Sequence, residues 1–447
     1  MITMRLSEAA IPVHAALHGE DIEFVGCSTD TRTLKGGELF VALKGENYDG
    51  HDMLGRAIAG GAKAAMVERH LDEPIPLLVV GSTRKSLGRL ASSWRGRFTT
   101  PLVAITGSNG KTTTKEMLAS ILGTRGSVLA TSGNLNNDIG VPLTLFRLNA
   151  DHDYAVLEMG ANHSGEITWL AEISKPDVGA VTLAAQAHLE GFGSLEGVAR
   201  AKGELFAGLD TDGIAVVNSD DPFADSWRQT AQGRSILSFS LKGDADVSAE
   251  DLGLDESRVR RMRLHIGNDS AELGLNLLGR HNVSNALAAT ACAHALGLEL
   301  ESCRVGLERM RPIAGRLQLK RGLAGCFLID DTYNANPFSL ATAVEALEEL
   351  PGERWLVLGD MGELGPEALA LHQQAGRMLA RSSISRLFTL GDFAAAAAGN
   401  FDRERNVFTD VNSLIETLKV DLTDRVTLLV KGSRAMRLER VVDSLAR

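Results

Sequence analysis

Short apolar runs alternate with segments of helical spacing along the middle of the chain. The apolar runs, each short enough to form one buried strand, are 102–105, 155–158, 179–182 and 214–218. The segments with apolar residues at helical spacing are 112–122, 165–173 and 195–209. This alternation predicts a parallel sheet covered by helices. In such sheets ligands bind beyond the carboxyl ends of the strands.

The pattern divides the chain into three blocks. The last block alternates again, with predicted strands at 326–330, 355–359, 386–390 and 427–430 and helices at 340–350 and 368–380. The first block has shorter strands and turns, and Ser7 is predicted to cap its first helix. Thr99-Thr100-Pro101 is typical of a linker. We therefore predict an α/β chain of three domains, which span residues 1–98, 99–311 and 312–447.

The composition is typical of folded domains and argues against some kinds of binding partner. The chain has 447 residues, of which 44% are hydrophobic and 23% charged, so it can bury cores. Its net charge of −11 disfavours nucleic acid as the main partner. Its 4 cysteines are scattered without metal-ligand spacing, which indicates free thiols in a reducing compartment. The sequence has no signal-peptide pattern and no long apolar run, so we expect a cytoplasmic protein without a membrane span.

A glycine-rich segment at 106–113, Thr-Gly-Ser-Asn-Gly-Lys-Thr-Thr, joins the first central strand to the first central helix. We call it the phosphate loop, because its glycines let backbone N–H groups face an anion at a helix N-terminus. Lys111 can reach the β- and γ-phosphates of a nucleotide, and the hydroxyl of Thr112 or Thr113 can hold Mg²⁺. The common pattern has four residues between its glycines and this loop has a shorter spacing, so a glycine-rich turn with a surface lysine is the alternative.

Polar residues follow other central strands. Glu158 ends a strand, where it can hold Mg²⁺ or cap a helix. His188 lies in a loop after the next strand and is either a structural residue or a second metal ligand. Lys202 lies within a predicted helix, where a solvated side chain is the favoured interpretation from the residue alone.

Three further positions suit ligand binding. Asn282 and Asn285 open a long alanine-rich helix, where amides either cap the helix or bind an adenine edge. Asp331 follows the first strand of the last block, in a segment that also fits an Asx-turn. Arg316 follows the linker to the last block and can reach a phosphate or ribose, although most single arginines are surface residues.

Taken together, these motifs resemble those of the Mur ligases, ATP-dependent enzymes that form amide bonds in bacterial cell-wall synthesis. The segments that carry the resemblance are 106–113, 157–160, 187–190, 202–204, 281–285 and 331–337. They cover all three blocks, and the short phosphate loop is the form found in that family. The resemblance implies a small N-terminal α/β domain, a central parallel-sheet P-loop ATPase domain and a C-terminal Rossmann-like domain that closes over the cleft.

The resemblance also implies roles for individual residues. Catalysis would involve Lys111, Glu158, His188 and Lys202. Two Mg²⁺ ions would be held by Thr112, Glu158, His188 and Lys202, with Lys202 carbamoylated. ATP would be bound by Gly107, Ser108, Asn109, Gly110, Lys111, Thr112, Thr113, Asn282, Arg316 and Asp331.

Segments 333–337, 358–365 and 430–434 resemble the family members that join D-alanyl-D-alanine to UDP-N-acetylmuramoyl-tripeptide. Those two substrates are the implied partners, and we expect a monomer. The implied substrate-binding residues are Ser28, Asp30, Arg32, Asp49, Gly50, His51, Asn134, Asn136, Asn137, Asn334 and Asn336. The alternatives are another Mur-type or folylpolyglutamate synthase-like ligase, or a P-loop ATPase switch. The sequence leaves open whether the third residue of the peptide is diaminopimelate or lysine.

Overall fold

The computed structural model describes residues 1–185 and 189–447. The N-terminal elements are β1 (Thr3–Arg5), α1 (Leu6–Val13), β2 (Ala16–His18), β3 (Glu23–Val25), β4 (Cys27–Ser28), β5 (Leu39–Val41), α2 (Leu54–Ala59), β6 (Ala64–Val67), β7 (Leu77–Val79) and α3 (Thr83–Arg95). β1 and β3 pair antiparallel, and the other strands form a sheet of order β2-β7-β6-β5-β4. The prediction that Ser7 caps α1 is wrong. The helix begins at Leu6, and the backbone and hydroxyl of Ser7 donate to Asp21 instead.

The central elements begin with the strand that precedes the phosphate loop. They are β8 (Leu102–Thr106), α4 (Lys111–Leu122), β9 (Val128–Ala130), α5 (Gly140–Leu145), β10 (Tyr154–Glu158), α6 (Glu166–Ser174), β11 (Val178–Val181), α7 (Leu189–Phe192), α8 (Leu195–Ala207), β12 (Ile214–Asn218), α9 (Ala224–Thr230), β13 (Ser235–Ser240), β14 (Val247–Leu254), β15 (Arg260–Ile266), β16 (Asp269–Leu275), α10 (His281–Ala295) and α11 (Leu300–Arg309). The strands form one sheet of order β16-β15-β14-β13-β12-β11-β8-β10-β9.

The central sheet is mixed, which corrects the prediction of a parallel one. β14, β15 and β16 pair antiparallel at one edge, whereas β8 to β13 are parallel. Tight turns make this possible. Asp255 accepts bonds from the backbone of Ser257 and Val259 between β14 and β15, and Gly267 adopts φ 55° between β15 and β16. Such short connections join antiparallel strands without a crossover helix.

The C-terminal elements form a third sheet. They are β17 (Gln318–Arg321), β18 (Phe327–Asp331), α12 (Pro337–Glu348), β19 (Glu353–Gly359), α13 (Ala368–Arg381), β20 (Arg386–Leu390), α14 (Asp392–Gly399), β21 (Glu404–Phe408), α15 (Val411–Asp421), β22 (Val426–Lys431) and α16 (Glu439–Leu445). Their order is β17-β18-β22-β19-β20-β21, and only β17 is antiparallel to its neighbour. Among the helices of the described residues, none has the length and apolar character needed to cross a membrane.

Both faces of strand β8 are buried. Leu102 and Ala104 pack into a core that continues into the N-terminal sheet and its helices. Val103 and Ile105 pack on the other face, against α4 and α10. This two-sided burial explains the continuous apolar run of a parallel strand. In register, Ile105 lies beside Glu158 and Thr106 beside Val181, so the carboxyl ends of β8, β10 and β11 meet at one edge.

Ion pairs connect the three regions. Arg84 of α3 forms two bonds with the carboxylate of Asp138 in the central region, one of them 2.7 Å long. On the other side, Arg260 of β15 pairs with Asp251 at 2.7 Å and with Glu349 at the end of α12. The Arg260 side chain is only 3% exposed, so the hairpin of β14 and β15 forms a buried polar contact with the C-terminal region.

Candidate active site

A cavity of about 520 Å³ lies where the carboxyl ends of the central strands face the C-terminal region. The phosphate loop forms its floor, and residues 134–137 and the start of α10 form two sides. The opposite wall comes from residues 315–317, 331, 333–336, 338, 339, 342, 362–364 and 431 of the C-terminal region. The cavity therefore lies between elements that are far apart in the sequence.

Two glycines of the phosphate loop have no room for a side chain. Gly107 has φ 140°, and a Cβ there would lie 2.0 Å from the hydroxyl of Thr182. Gly110 has φ 83°, and its Cβ would lie 2.3 Å from the Asn285 amide oxygen. Helix α4 begins directly afterwards at Lys111, so its first N–H groups lie at the cavity floor. The loop thus has the close packing and the positive helix end that a phosphate site requires.

Lys111 folds back over this loop. Its ammonium donates to the carbonyl of Gly107 at 2.8 Å. Burial lowers the pKa of Lys111, while the carboxylates of Glu158 and Glu363 act in the opposite direction. The ammonium therefore lies at the cavity floor, beside the carbonyls of Gly107 and Ser108.

Glu158 lies beside the phosphate loop and is only 3% exposed. One carboxylate oxygen accepts a bond from the Thr112 hydroxyl at 2.8 Å, and the other accepts one from the Asn136 amide at 2.8 Å. The Glu158 backbone N–H donates to Thr131 at 3.0 Å, which fixes the end of β10. Oxygen ligands of this type suit a hard divalent cation.

Lys202 is buried, so its interpretation as a solvated helix residue is wrong. Its side chain is 2% exposed, and its ammonium donates to the Ala161 carbonyl at 3.3 Å. The ammonium also lies 5.2 Å from the centroid of the Phe192 ring. Burial, with a smaller contribution from the charge of Lys111, lowers the pKa of Lys202 to about 7. At neutral pH, Lys202 is therefore a neutral amine in a substantial fraction of the molecules.

The C-terminal wall contacts the phosphate loop directly. The guanidinium of Arg316 donates to the Thr112 hydroxyl at 2.9 Å and lies 4.2 Å from the centroid of the Tyr333 ring. Asn336 caps α12 and also donates to the Asn109 side chain at 3.2 Å. These contacts close the cavity between the central and C-terminal regions.

Asp331 lies on the same wall and pairs with Lys431, whose side chain is 2% exposed. It also accepts a bond from the Leu317 backbone at 3.2 Å. Asn334 lines the wall beside it.

The start of α10 carries a chain of amides. Asn285 donates to Asn282 at 2.9 Å, and Asn282 donates to the Leu278 carbonyl at 2.7 Å. Two buried nitrogens at this side, Nδ2 of Asn109 and Nδ1 of His281, have no hydrogen-bond partner among the described residues. Buried polar atoms without partners are rare in proteins, and here both belong to residues that line the cavity.

The structure separates the remaining predicted residues into two groups. Asn134, Asn136, Asn137, Asn334 and Asn336 line the cavity. The predicted residues of the N-terminal region do not line the cavity and make local contacts instead. Asp30 pairs with Arg32, and Ser28 bonds to the Asp30 backbone. Asp49 caps a short turn that includes Gly50 and His51.

His188 lies outside the described residues. Within the described residues, no cluster of three or more His, Cys, Asp or Glu side chains surrounds a common metal position.

Sequence reasoning did not select Glu363, Lys431 or His281 as individual site residues, although all three line the cavity. The signal was present, because each lies in a segment that carries the family resemblance.

Three family models match the chain. Residues 21–92 match the Mur ligase family catalytic domain, 105–293 the Mur ligase middle domain, and 315–434 the Mur ligase glutamate ligase domain. The chain is 43% identical to the UDP-N-acetylmuramoyl-tripeptide–D-alanyl-D-alanine ligase of Escherichia coli K12, over 100% of this chain and 99% of that enzyme. The chain belongs to the Mur ligase family.

Solved structures of Mur ligases share the whole fold of this family member. A crystal structure of MurF from Acinetobacter baumannii has a TM-score of 0.93 at 36% identity, covering 99% of this chain and 98% of that one. MurF from Thermotoga maritima, solved in complex with ADP, has a TM-score of 0.83 at 28% identity and covers 94% of this chain and 96% of that one. The three-domain α/β architecture expected from the sequence is thereby confirmed.

Proposed function

We propose that this Mur ligase joins D-alanyl-D-alanine to UDP-N-acetylmuramoyl-tripeptide, with ATP as the energy source. The observation that carries the proposal is the position of the phosphate loop, which opens into a cavity closed by the C-terminal wall. A full-length relative of that name at 43% identity supports the choice of substrates. We also propose that the three domains span residues 1–98, 99–311 and 312–447.

ATP fits the cavity floor. The N–H groups of the phosphate loop and the start of α4 would bind the phosphates, and Lys111 would leave the Gly107 carbonyl to contact the β- and γ-phosphates. The unpartnered nitrogens of Asn109 and His281 are polar atoms that a nucleotide can satisfy. Arg316, which already reaches Thr112, would contact the phosphate chain, while Asn282 and Asp331 would contact the nucleoside.

The residues present also fit Mg²⁺. Thr112 and Glu158 provide oxygen atoms beside the phosphate loop, and His188 and Lys202 would complete the set in the proposal. Mg²⁺, when bound, neutralises phosphate charge and polarises the reacting phosphoryl group. Lys202 fits carbamoylation, because a buried lysine with a pKa of about 7 presents the neutral amine that reacts with carbon dioxide.

The reaction requires two anions to meet. The terminal carboxylate of the tripeptide would attack the γ-phosphate of ATP, which gives an acyl phosphate and ADP. The neutral amine of D-alanyl-D-alanine would then attack the acyl carbon, inorganic phosphate would leave, and the nitrogen would release one proton to the leaving phosphate or to solvent. Lys111 and the loop N–H groups stabilise the transferred charge. Closure of the C-terminal wall keeps water from the acyl phosphate.

The UDP-sugar portion would extend from the cavity to the N-terminal region. The segment 134–137 lies between the two, and the pair of Arg84 and Asp138 ties it to α3. Asn134, Asn136 and Asn137 would contact the peptide, while Ser28, Asp30, Arg32, Asp49, Gly50 and His51 would serve the UDP-sugar.

The proposal is tested by phosphate release from ATP in the presence of UDP-N-acetylmuramoyl-tripeptide. D-alanyl-D-alanine, diaminopimelate and glutamate are added in separate reactions, and the products are identified by mass spectrometry. We expect turnover only with D-alanyl-D-alanine and a UDP-linked pentapeptide as product. Phosphate release that is indifferent to every amine would reject the ligase and favour an ATPase switch.

A further inference from the structure

A short segment after β11 bonds to the phosphate loop along one side. We call residues 182–185 the supporting segment. The backbone N–H and the hydroxyl of Ser108 donate to two carbonyls of this segment, at 2.9 Å and 3.0 Å. The Thr182 hydroxyl donates to the Asn109 carbonyl at 2.6 Å, and the same hydroxyl lies where a Cβ of Gly107 would be. The supporting segment therefore contacts three successive positions of the phosphate loop.

These contacts fix the part of the phosphate loop that precedes its helix. Residues 107–110 lie between the end of β8 and the start of α4, outside both elements. Backbone N–H groups bind a phosphate well only when they already point at a common centre before the ligand arrives. The position of the supporting segment therefore bears directly on nucleotide affinity.

Asp221 holds the supporting segment from the side away from the phosphate loop. One carboxylate oxygen accepts a bond from the Ala184 backbone N–H at 2.9 Å. The other oxygen accepts one from the Phe223 backbone N–H at 2.9 Å, in the turn that leads into α9. Nearby, the Asn218 amide at the end of β12 donates to the Thr182 carbonyl at 2.7 Å. The end of β12 and the turn after it thus connect to the phosphate loop through the supporting segment.

The carboxylate of Asp221 lies in an environment that does not favour its charge. The residue is only 8% exposed, and burial raises its pKa although the two N–H bonds act in the opposite direction. A buried carboxylate costs stability that a small neutral side chain would not. Such a cost is typical of residues retained for function rather than for folding alone.

We propose that Asp221 is a positioning residue for nucleotide binding, because it holds the supporting segment against residues 107–109 of the phosphate loop. This inference rests on the proposed binding of ATP at that loop, and it adds a residue that lies outside the cavity lining. A hydrogen bond to a charged acceptor changes an equilibrium constant by about 10- to 100-fold. We expect nucleotide affinity to fall by that factor when the bond from Ala184 is removed.

The test compares Asp221→Ser with Asp220→Ser in the full chain. A serine at position 221 can still accept the N–H two residues later, but it is too short to reach Ala184. Asp220 is the matched control, because it also accepts two bonds, from the Ser240 hydroxyl and the Leu241 N–H, both at 2.6 Å. Those bonds lead to the end of β13 and not to the supporting segment.

The first measurement is the binding of a fluorescent ATP analogue. We expect its Kd to rise about 10- to 100-fold in D221S and less than about 2-fold in D220S. Asp221→Asn keeps one side-chain oxygen at the same reach and should recover part of the affinity. In the ligation assay, the KM for ATP should rise in D221S, whereas the KM for UDP-N-acetylmuramoyl-tripeptide stays within about 2-fold of the wild type.

The second measurement is hydrogen exchange followed by mass spectrometry without nucleotide. Peptides that contain residues 107–109 or 182–185 should exchange faster in D221S than in the wild type, and at the wild-type rate in D220S. The melting temperatures of both serine variants report how far each is destabilised. If D221S fails to fold, D221N takes its place in both measurements.

Three outcomes would overturn the proposal. Unchanged binding of the ATP analogue in D221S would remove Asp221 from the nucleotide site, and equal losses in D221S and D220S would reduce the effect to general destabilisation. Faster exchange confined to α9 would limit Asp221 to the turn before that helix. A wild-type chain that does not bind the analogue rejects the proposed nucleotide alone, because the exchange comparison still tests whether Asp221 holds the phosphate loop.

Discussion

Lys202 gives a prediction whose sign and size follow from its burial. Replacing it with methionine, which has similar length and no charge, removes an ammonium group that the fold has taken out of water. We expect Lys202→Met to abolish ligation and at the same time to stabilise the folded chain near neutral pH. A residue that costs stability yet has hydrogen-bonding and cationic neighbours is typical of a functional site.

The magnitude follows from the two pKa values. Burial lowers the pKa of Lys202 from 10.5 to about 7, so the unfolded chain holds the proton more strongly than the folded one. The folded chain therefore becomes less stable as the pH falls from 10.5 to 7, and the loss is complete at pH values below the pKa of Lys202 in the folded chain. Linkage gives a penalty of roughly 4 kcal/mol at pH 7, about 2 at pH 9 and below about 1 at pH 10. These are upper bounds, because the Ala161 carbonyl and the Phe192 ring favour the charged form.

The assay is urea unfolding of the wild type and K202M in buffers free of carbon dioxide, from pH 7 to pH 10. The free energy of unfolding should be higher for K202M than for the wild type. This difference should be about 3 kcal/mol larger at pH 7 than at pH 10. Adding bicarbonate should stabilise only the wild type, since only its amine can be carbamoylated. A difference that stays constant with pH would show that Lys202 is not desolvated and would refute the reasoning.

Two further substitutions test the loop and the connection between regions. Gly107→Ala should abolish nucleotide binding, measured with a fluorescent ATP analogue, because the new Cβ would lie 2.0 Å from Thr182. Gly243→Ala is the control and should bind the analogue normally, because Gly243 has φ 153° and no atom lies within 4 Å of the new Cβ. Arg260→Met should lower the free energy of unfolding by about 3 kcal/mol, because it leaves carboxylates without their buried partner. The half-exposed Arg263→Met should cost less than about 1 kcal/mol in the same urea titration, and equal losses would contradict this explanation.

Several elements were predictable because their signals are local. The phosphate loop was identified from glycines that lie between an apolar strand and a helix, and the strands at 214–218 and 386–390 were predicted with the observed limits. Both signals arise within a few neighbouring residues, where backbone freedom and apolar spacing determine the conformation.

Other features depended on packing that no local pattern carries. Lys202 has the sequence context of a solvated helix residue, and it is buried only because α8 packs among other central elements. The antiparallel edge of the central sheet was missed, since the alternation of strands and helices stops before β14.

The sequence alone determined the three α/β blocks, the phosphate loop and the family of this chain. These follow from spacing and residue type, which the chain carries whatever its tertiary arrangement. Only the tertiary structure placed Arg316 on Thr112 and Asn336 on Asn109. Contacts between residues hundreds of positions apart are set by how whole sheets pack, and that free energy is spread over many buried side chains rather than recorded in any one motif.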